Sequence, residues 1–94
     1  MSDLLREIKS GFNTNTQFGR VCYVTAGTEW LTLRDIEKRI GRLFKDKDTQ
    51  AAISARLREV SPIKHGFVKE RRHEQINGKR VYFYRLVPFV QEAA

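Results

Sequence analysis

Apolar residues recur along this chain at two periods, and the change from one to the other divides it. Up to Val60 the spacing is helical. Leu4, Ile8 and Phe12 share one stripe, as do Phe18, Val21, Cys22 and Thr25, then Leu33, Ile36 and Ile40, and finally Ile53, Leu57 and Val60. After Gly66 the pattern turns β-branched and aromatic, in two runs joined by Asn77-Gly78. The spacing predicts helices over 3–10, 16–26, from a Thr32 cap to Gly41, and 48–60, followed by a hairpin.

The residues between these stripes say where each element stops. Gly11 and Gly27 close the first two helices, and the polar loop Asn13-Thr14-Asn15-Thr16 offers the second one a cap. The β-branched run from Val21 to Thr25 pulls toward strand, but the apolar spacing favours helix. Glu29-Trp30-Leu31 suits a short strand, with Trp30 packing on the hairpin. Thr32 with Asp35 three residues on is a variant capping box. The turn Arg42–Lys47 is expected to place Leu43 and Phe44 as plugs between the helices on either side.

Asp48 or Thr49 can cap the last helix, and Ser61-Pro62 breaks it, because the residue before a proline leaves the α region. Asn77-Gly78 is the strongest short hairpin signal, since both central positions of a type I′ turn need positive φ. A two-residue turn there sets Glu70 opposite Arg85 and Val68 opposite Val87, both favourable cross-strand pairs. Residues 88–94 are then a tail.

Composition narrows the function. The 94 residues are 40% hydrophobic and 31% charged, enough for one domain with a modest core and against disorder. No apolar run reaches the roughly 20 residues that span a bilayer, and Met1-Ser2-Asp3 lacks a basic signal-peptide start, so a cytoplasmic protein without membrane association is expected. The lone Cys22 excludes an internal disulfide and is expected in the core. His65 and His73 have no ligand-spaced partners, so neither a metal nor a cofactor is expected. Nothing pairs a nucleophile with a base and no glycine-rich phosphate loop is present, so catalysis is the weakest class.

The formal net charge of +7 favours polyanions, and its distribution sharpens that. Residues 1–48 carry 9 Lys+Arg against 7 Asp+Glu, whereas residues 49–94 carry 9 against 4. The excess lies on the last helix and the hairpin. Opposite the Ile53–Leu57–Val60 stripe, that helix presents Ala51, Ser54, Ala55 and Arg58, small enough to permit close approach. Gln pairs with adenine, Arg with guanine, and an alanine methyl meets the thymine methyl, which suits a major groove. A solvated face of the same composition is about equally common.

Helix, short strand, helix, turn, helix and basic hairpin is an element order that resembles the winged helix-turn-helix superfamily over residues 16–87. The likeness rests on Trp30–Ile36 entering the second helix, Asp48-Thr49-Gln50 opening the third, Ile53–Val60 along it, and Gly66-Phe67-Val68 leading into the hairpin. That last feature is similar to the helix-to-wing entry of multiple-antibiotic-resistance-type and arsenic-repressor-type bacterial regulators, and small standalone domains of this kind occur in phages and prophages. The resemblance implies an α+β winged domain over 16–87, preceded by an N-terminal helix and linker over 1–15.

It also implies a double-stranded DNA-binding regulator. The helix 48–60 would enter the major groove, with Gln50, Ser54 and Arg58 at base edges and Ala51 and Ala55 permitting approach. Lys45, Lys47 and Thr49 would meet phosphate near its start, and Lys69, Arg71, Arg72, Lys79 and Arg80 would form the basic wing. Arg56, bordering the apolar stripe, is expected to be structural. The N-terminal helix could pair two copies into a homodimer. The alternatives are a winged protein-interaction module within a larger assembly, and single-strand binding through Tyr82, Phe83 and Tyr84.

Overall fold

A computed structural model describes residues 9–89. The predicted N-terminal helix, with its suggested dimer contact, and most of the C-terminal tail lie outside the described residues; Lys9 and Ser10 are helical. Within them α1 (Gln17–Thr25), α2 (Leu33–Phe44), α3 (Gln50–Arg58) and the single turn α4 (Pro62–His65) precede β1 (Phe67–Ile76) and β2 (Lys79–Pro88). The result is a small α+β domain: three helices and an antiparallel hairpin.

Side chains cap each of the three longer helices. Thr16 Oγ1 accepts from the Gly19 N–H at 3.0 Å and Thr49 Oγ1 from the Ala52 N–H at 3.2 Å. The box at Thr32 is reciprocal: Asp35 N–H donates to Thr32 Oγ1 and Thr32 N–H to the Asp35 carboxylate, at 3.1 and 3.0 Å. The β-branched run of α1 is helical because burial outweighs propensity; Val21, Val24 and Thr25 are all buried, and the Thr25 hydroxyl donates to the Val21 carbonyl at 2.6 Å.

The three longer helices and the hairpin contribute to one core: Val21 and Cys22 from α1, Ile36 and Ile40 from α2, Ile53 and Leu57 from α3, Phe67 and Leu86 from the hairpin. A fully buried residue of this kind stabilises by roughly 1.5–3 kcal/mol. The hairpin has the predicted register, Val68 opposite Val87 and Glu70 opposite Arg85, and turns at Asn77 (φ 50°) and Gly78 (φ 76°). Leu31 exchanges both backbone hydrogen bonds with Tyr84, at 2.9 and 2.7 Å, so the segment expected as a short strand, Glu29-Trp30-Leu31, forms only this single-residue bridge to β2 and no strand. Among the described residues no helix is long and apolar enough to cross a membrane.

Three expectations need correction. First, α2 runs through Gly41 to Phe44, because one helical glycine costs only about 1 kcal/mol and Lys45, in the left-handed region at φ 57°, supplies the stop. Leu43 is therefore on the helix and 57% exposed instead of plugging a gap, and only Phe44 packs, edge-on to Tyr23 at 5.5 Å. Second, α3 is shorter than 48–60: Thr49 is its cap, and Val60 packs on the core from beyond its end. Third, Ser61-Pro62 starts a helical turn as well as ending one. Ser61 Oγ accepts from the Lys64 N–H at 3.3 Å, Pro62 needs no donor at the first position, and Gly66 (φ 76°) closes the turn.

Cys22 is 1% exposed, and burial pushes its thiol up to about 12. A protonated, covered thiol does not attack electrophiles. Alkylation of the native protein by iodoacetamide, followed by mass spectrometry, should therefore be slow and should reach the rate of a free thiol only in denaturant. Fast labelling without denaturant would contradict this packing.

Candidate nucleic-acid interface

The start of α3 is pinned by a charge cluster. Asp48, 6% exposed, accepts from Arg20 Nε at 2.9 Å and Nη2 at 3.0 Å and from Gln17 Nε2 at 3.0 Å, so α1 holds the residue next to the Thr49 cap. Arg20 also donates to the Thr14 carbonyl at 3.3 Å and lies 3.5 Å from Asp46. The hydrogen bonds from Arg20, before any other influence, hold the Asp48 carboxyl below the usual carboxylate range. Packing of Ile53 and Leu57 then sets the roll of the helix about its axis.

That roll leaves Gln50, Ala51 and Arg58 exposed, with Ser54 and Ala55 half-buried. Gln50 donates its amide to Glu37 at 3.1 Å, which leaves its carbonyl oxygen as an acceptor. The Thr49 hydroxyl accepts from the backbone as the cap and keeps its O–H to donate. Lys45 and Lys47 are exposed in the turn before α3. Arg56, expected to be structural, bridges to Glu59, the residue capping the end of α3, at 2.8 Å.

Strand alternation sorts the hairpin into two faces. Phe67, Lys69, Arg71 and His73 share one with Leu86, Tyr84, Tyr82 and Arg80, and because Phe67 and Leu86 are buried this is the face toward the helices. Glu70, Arg72 and Glu74 share the other with Arg85, Phe83, Val81 and Lys79. On that outer face Arg72 lies over Trp30 and Phe83 at 5.0 and 5.7 Å and pairs with Glu74 at 3.4 Å. Arg85 lies over Trp30 at 4.2 Å and pairs with Glu70 at 2.6 Å. Trp30 does pack on the hairpin, through guanidinium groups.

The inner face is electrostatically different. Burial, then nearby Arg71 and Arg58, pushes the Lys69 ammonium below its ordinary value, so the end of α3 and the base of β1 form one cluster of like charge. Among the described residues no carboxylate pairs with Arg58, Lys69, Arg71 or Arg80, whereas Arg20, Arg39, Arg56, Arg72 and Arg85 all have one. Arg71 lies over the Tyr82 ring at 5.1 Å.

One further cation borders this candidate surface that the sequence pattern did not single out. Arg34 is exposed at the second position of α2, beside the positive end of that helix dipole. A cation placed against the dipole was the available signal. The aromatic run Tyr82-Phe83-Tyr84 is divided, Phe83 going to the outer face. Among the described residues no group of His, Cys, Asp or Glu could hold a metal ion. No family model matches this chain, and neither a curated protein nor a solved structure is significantly similar to it.

Proposed function

We propose that the chain is a small winged helix-turn-helix protein that binds double-stranded DNA as a regulator, with α3 in the major groove and the hairpin as the wing. The contrast between the two faces of the hairpin carries this reading: among the described residues Lys69, Arg71 and Arg80 on the inner face, with Arg58 at the end of α3, pair with no carboxylate, whereas Arg72 and Arg85 on the outer face both do. Clustered, partly desolvated like charges are unfavourable alone and are relieved by phosphates. In this arrangement Gln50, Ser54 and Arg58 meet base edges, with Ala51 and Ala55 permitting approach. Lys45, Lys47, Thr49, Lys69, Arg71 and Arg80 meet the backbone, Lys79 sits at the turn, and Arg72 contributes less because Glu74 and Trp30 already engage it.

Fluorescence anisotropy on duplexes across a salt series tests the reading. With about five phosphates neutralised, log K should fall against log salt with a slope of roughly −4 to −5. Arg71→Ala plus Arg80→Ala should flatten that slope by about 2 and weaken every duplex alike, whereas Arg72→Ala should change it by less than 1. Arg58→Ala should reduce discrimination between sites by about tenfold, the scale of one bidentate base contact. Absence of duplex binding at low salt would overturn the proposal.

A further inference from the structure

Between the first turn of α2, the first residue of α3 and the inner face of β2 lies an open cleft of about 440 Å³. This is within the roughly 300–1,000 Å³ of ordinary ligand sites. Tyr82 and Tyr84, with Leu33, give it aromatic and aliphatic walls, and Arg34, Arg80 and Gln50 stand around them. The chemistry is specific: flat apolar surface for a ring, two guanidinium groups without carboxylate partners among the described residues, and one amide carbonyl available to accept. A B-form duplex keeps its bases stacked inside, so groove contact alone gives Tyr82 and Tyr84 no ring to meet. A planar base bearing a phosphate matches all three features, and the tyrosines of β2 are half-buried yet still line the cleft.

We propose that this cleft binds a single unpaired nucleotide, its base against Tyr82 and Tyr84, its phosphate held by Arg34 and Arg80, and its exocyclic amine donating to the Gln50 carbonyl oxygen. The occupant can be an unpaired nucleotide within a DNA or a free nucleoside monophosphate, and only the first rests on the duplex-binding reading above. In the first case the protein distinguishes a duplex carrying a bulge from a perfect one. Base-on-aromatic stacking sets the size of the preference, about tenfold. Every base has a face to stack, so preference at that nucleotide is modest and runs against thymine, which has no exocyclic amine to donate to Gln50.

Anisotropy on a blunt duplex, the same duplex with a one-nucleotide bulge, and that bulge made abasic separates the cases. The bulge should bind about tenfold tighter than the blunt duplex, and the abasic bulge no tighter. Tyr82→Leu and Arg34→Ala, checked for folding by circular dichroism, should each remove most of the preference, and Tyr82→Phe should keep it. In parallel, deoxyadenosine monophosphate is titrated while backbone amide resonances of residues 80–84 are followed. Shifts there without a bulge preference assign the cleft to the free nucleotide. Equal affinity for all three duplexes with no shifts overturns the proposal, and blunt-duplex binding in the same experiment reports separately on the groove reading.

Discussion

Asp48→Ala should destabilise the domain by about 3 kcal/mol and lower its melting temperature by about 15 °C. The carboxylate is 6% exposed and accepts three hydrogen bonds, two from Arg20 and one from Gln17, so its removal leaves a guanidinium that is itself mostly buried and, among the described residues, faces no close acid but Asp46. Uncompensated burial of a charge costs about 3–5 kcal/mol, and residual pairing with half-exposed Asp46 places the expectation at the lower end. Asp46→Ala, which removes only that longer contact, should cost less than about 0.5 kcal/mol. Thermal melts followed by circular dichroism would compare the two.

The effect also has a sign in pH. Arg20 depresses the folded carboxyl of Asp48, so its contribution is complete above the unfolded value of 3.8 and is lost as pH falls through the lower folded value. The stability gap between the wild type and Asp48→Asn should therefore be constant above about pH 5 and shrink toward pH 2. A gap independent of pH would show that the ionised carboxylate is not the source. Because Asp48 immediately precedes the Thr49 cap, the proposed duplex binding should be weaker in the same variant, whereas loss of an anion from a DNA-facing surface would by itself strengthen it.

The reason this anchor was invisible in the sequence is instructive. Arg20 and Asp48 are 28 residues apart, and a charged residue in a polar turn is ordinarily solvated; only the packing of α1 against the start of α3 brings the two together. Local features were legible because both partners lie within one turn of chain. Thr32 with Asp35 gave the cap of α2, and Asn77-Gly78 gave a turn that sets Glu70 against Arg85 and Val68 against Val87. The end of α2 was misplaced because a glycine reads as a stop, whereas the stop is a lysine in a left-handed conformation that composition does not announce.

The candidate site divides the same way. The small-residue face of α3 followed from helical spacing, and the crowd of cations near one turn was countable. Which cations are already engaged was not, because Arg72 and Arg85 find Trp30 only once the segment before α2 is bridged to β2 through Leu31. The division of Tyr82 and Tyr84 from Phe83 was implicit in strand alternation, but the buried face had first to be identified, and Phe67 and Leu86 identify it. Arg34 joins the candidate site through the cleft between α2 and β2, which it lines together with Arg80, 46 residues away in sequence.

Two glycine-to-alanine changes in helices should move stability in opposite directions, and the first has the other large effect expected of this fold. In a helix interior alanine ordinarily stabilises by about 0.5–1 kcal/mol, because glycine gives up more backbone freedom on folding. At Gly19 a Cβ would lie 1.8 Å from the Asn13 carbonyl oxygen and 2.5 Å from its carbon, far inside contact distance, and both are backbone atoms that cannot swing away. That carbonyl also accepts from the Thr16 hydroxyl at 2.8 Å and the Thr16 N–H at 3.1 Å, so the loop must lift and lose the α1 cap with it. The overpacking and the lost cap together should cost about 3 kcal/mol despite the favourable propensity. At Gly41 the nearest such atom is the Asp46 carbonyl oxygen at 3.8 Å, ordinary contact, and the position is exposed, so Gly41→Ala should stabilise by about 0.5–1 kcal/mol. Urea denaturation of the two variants reads both signs. If Gly19→Ala melts at or above the wild-type midpoint, the loop 13–16 does not lie against α1 as described, and the Arg20 contact to Thr14 falls with it.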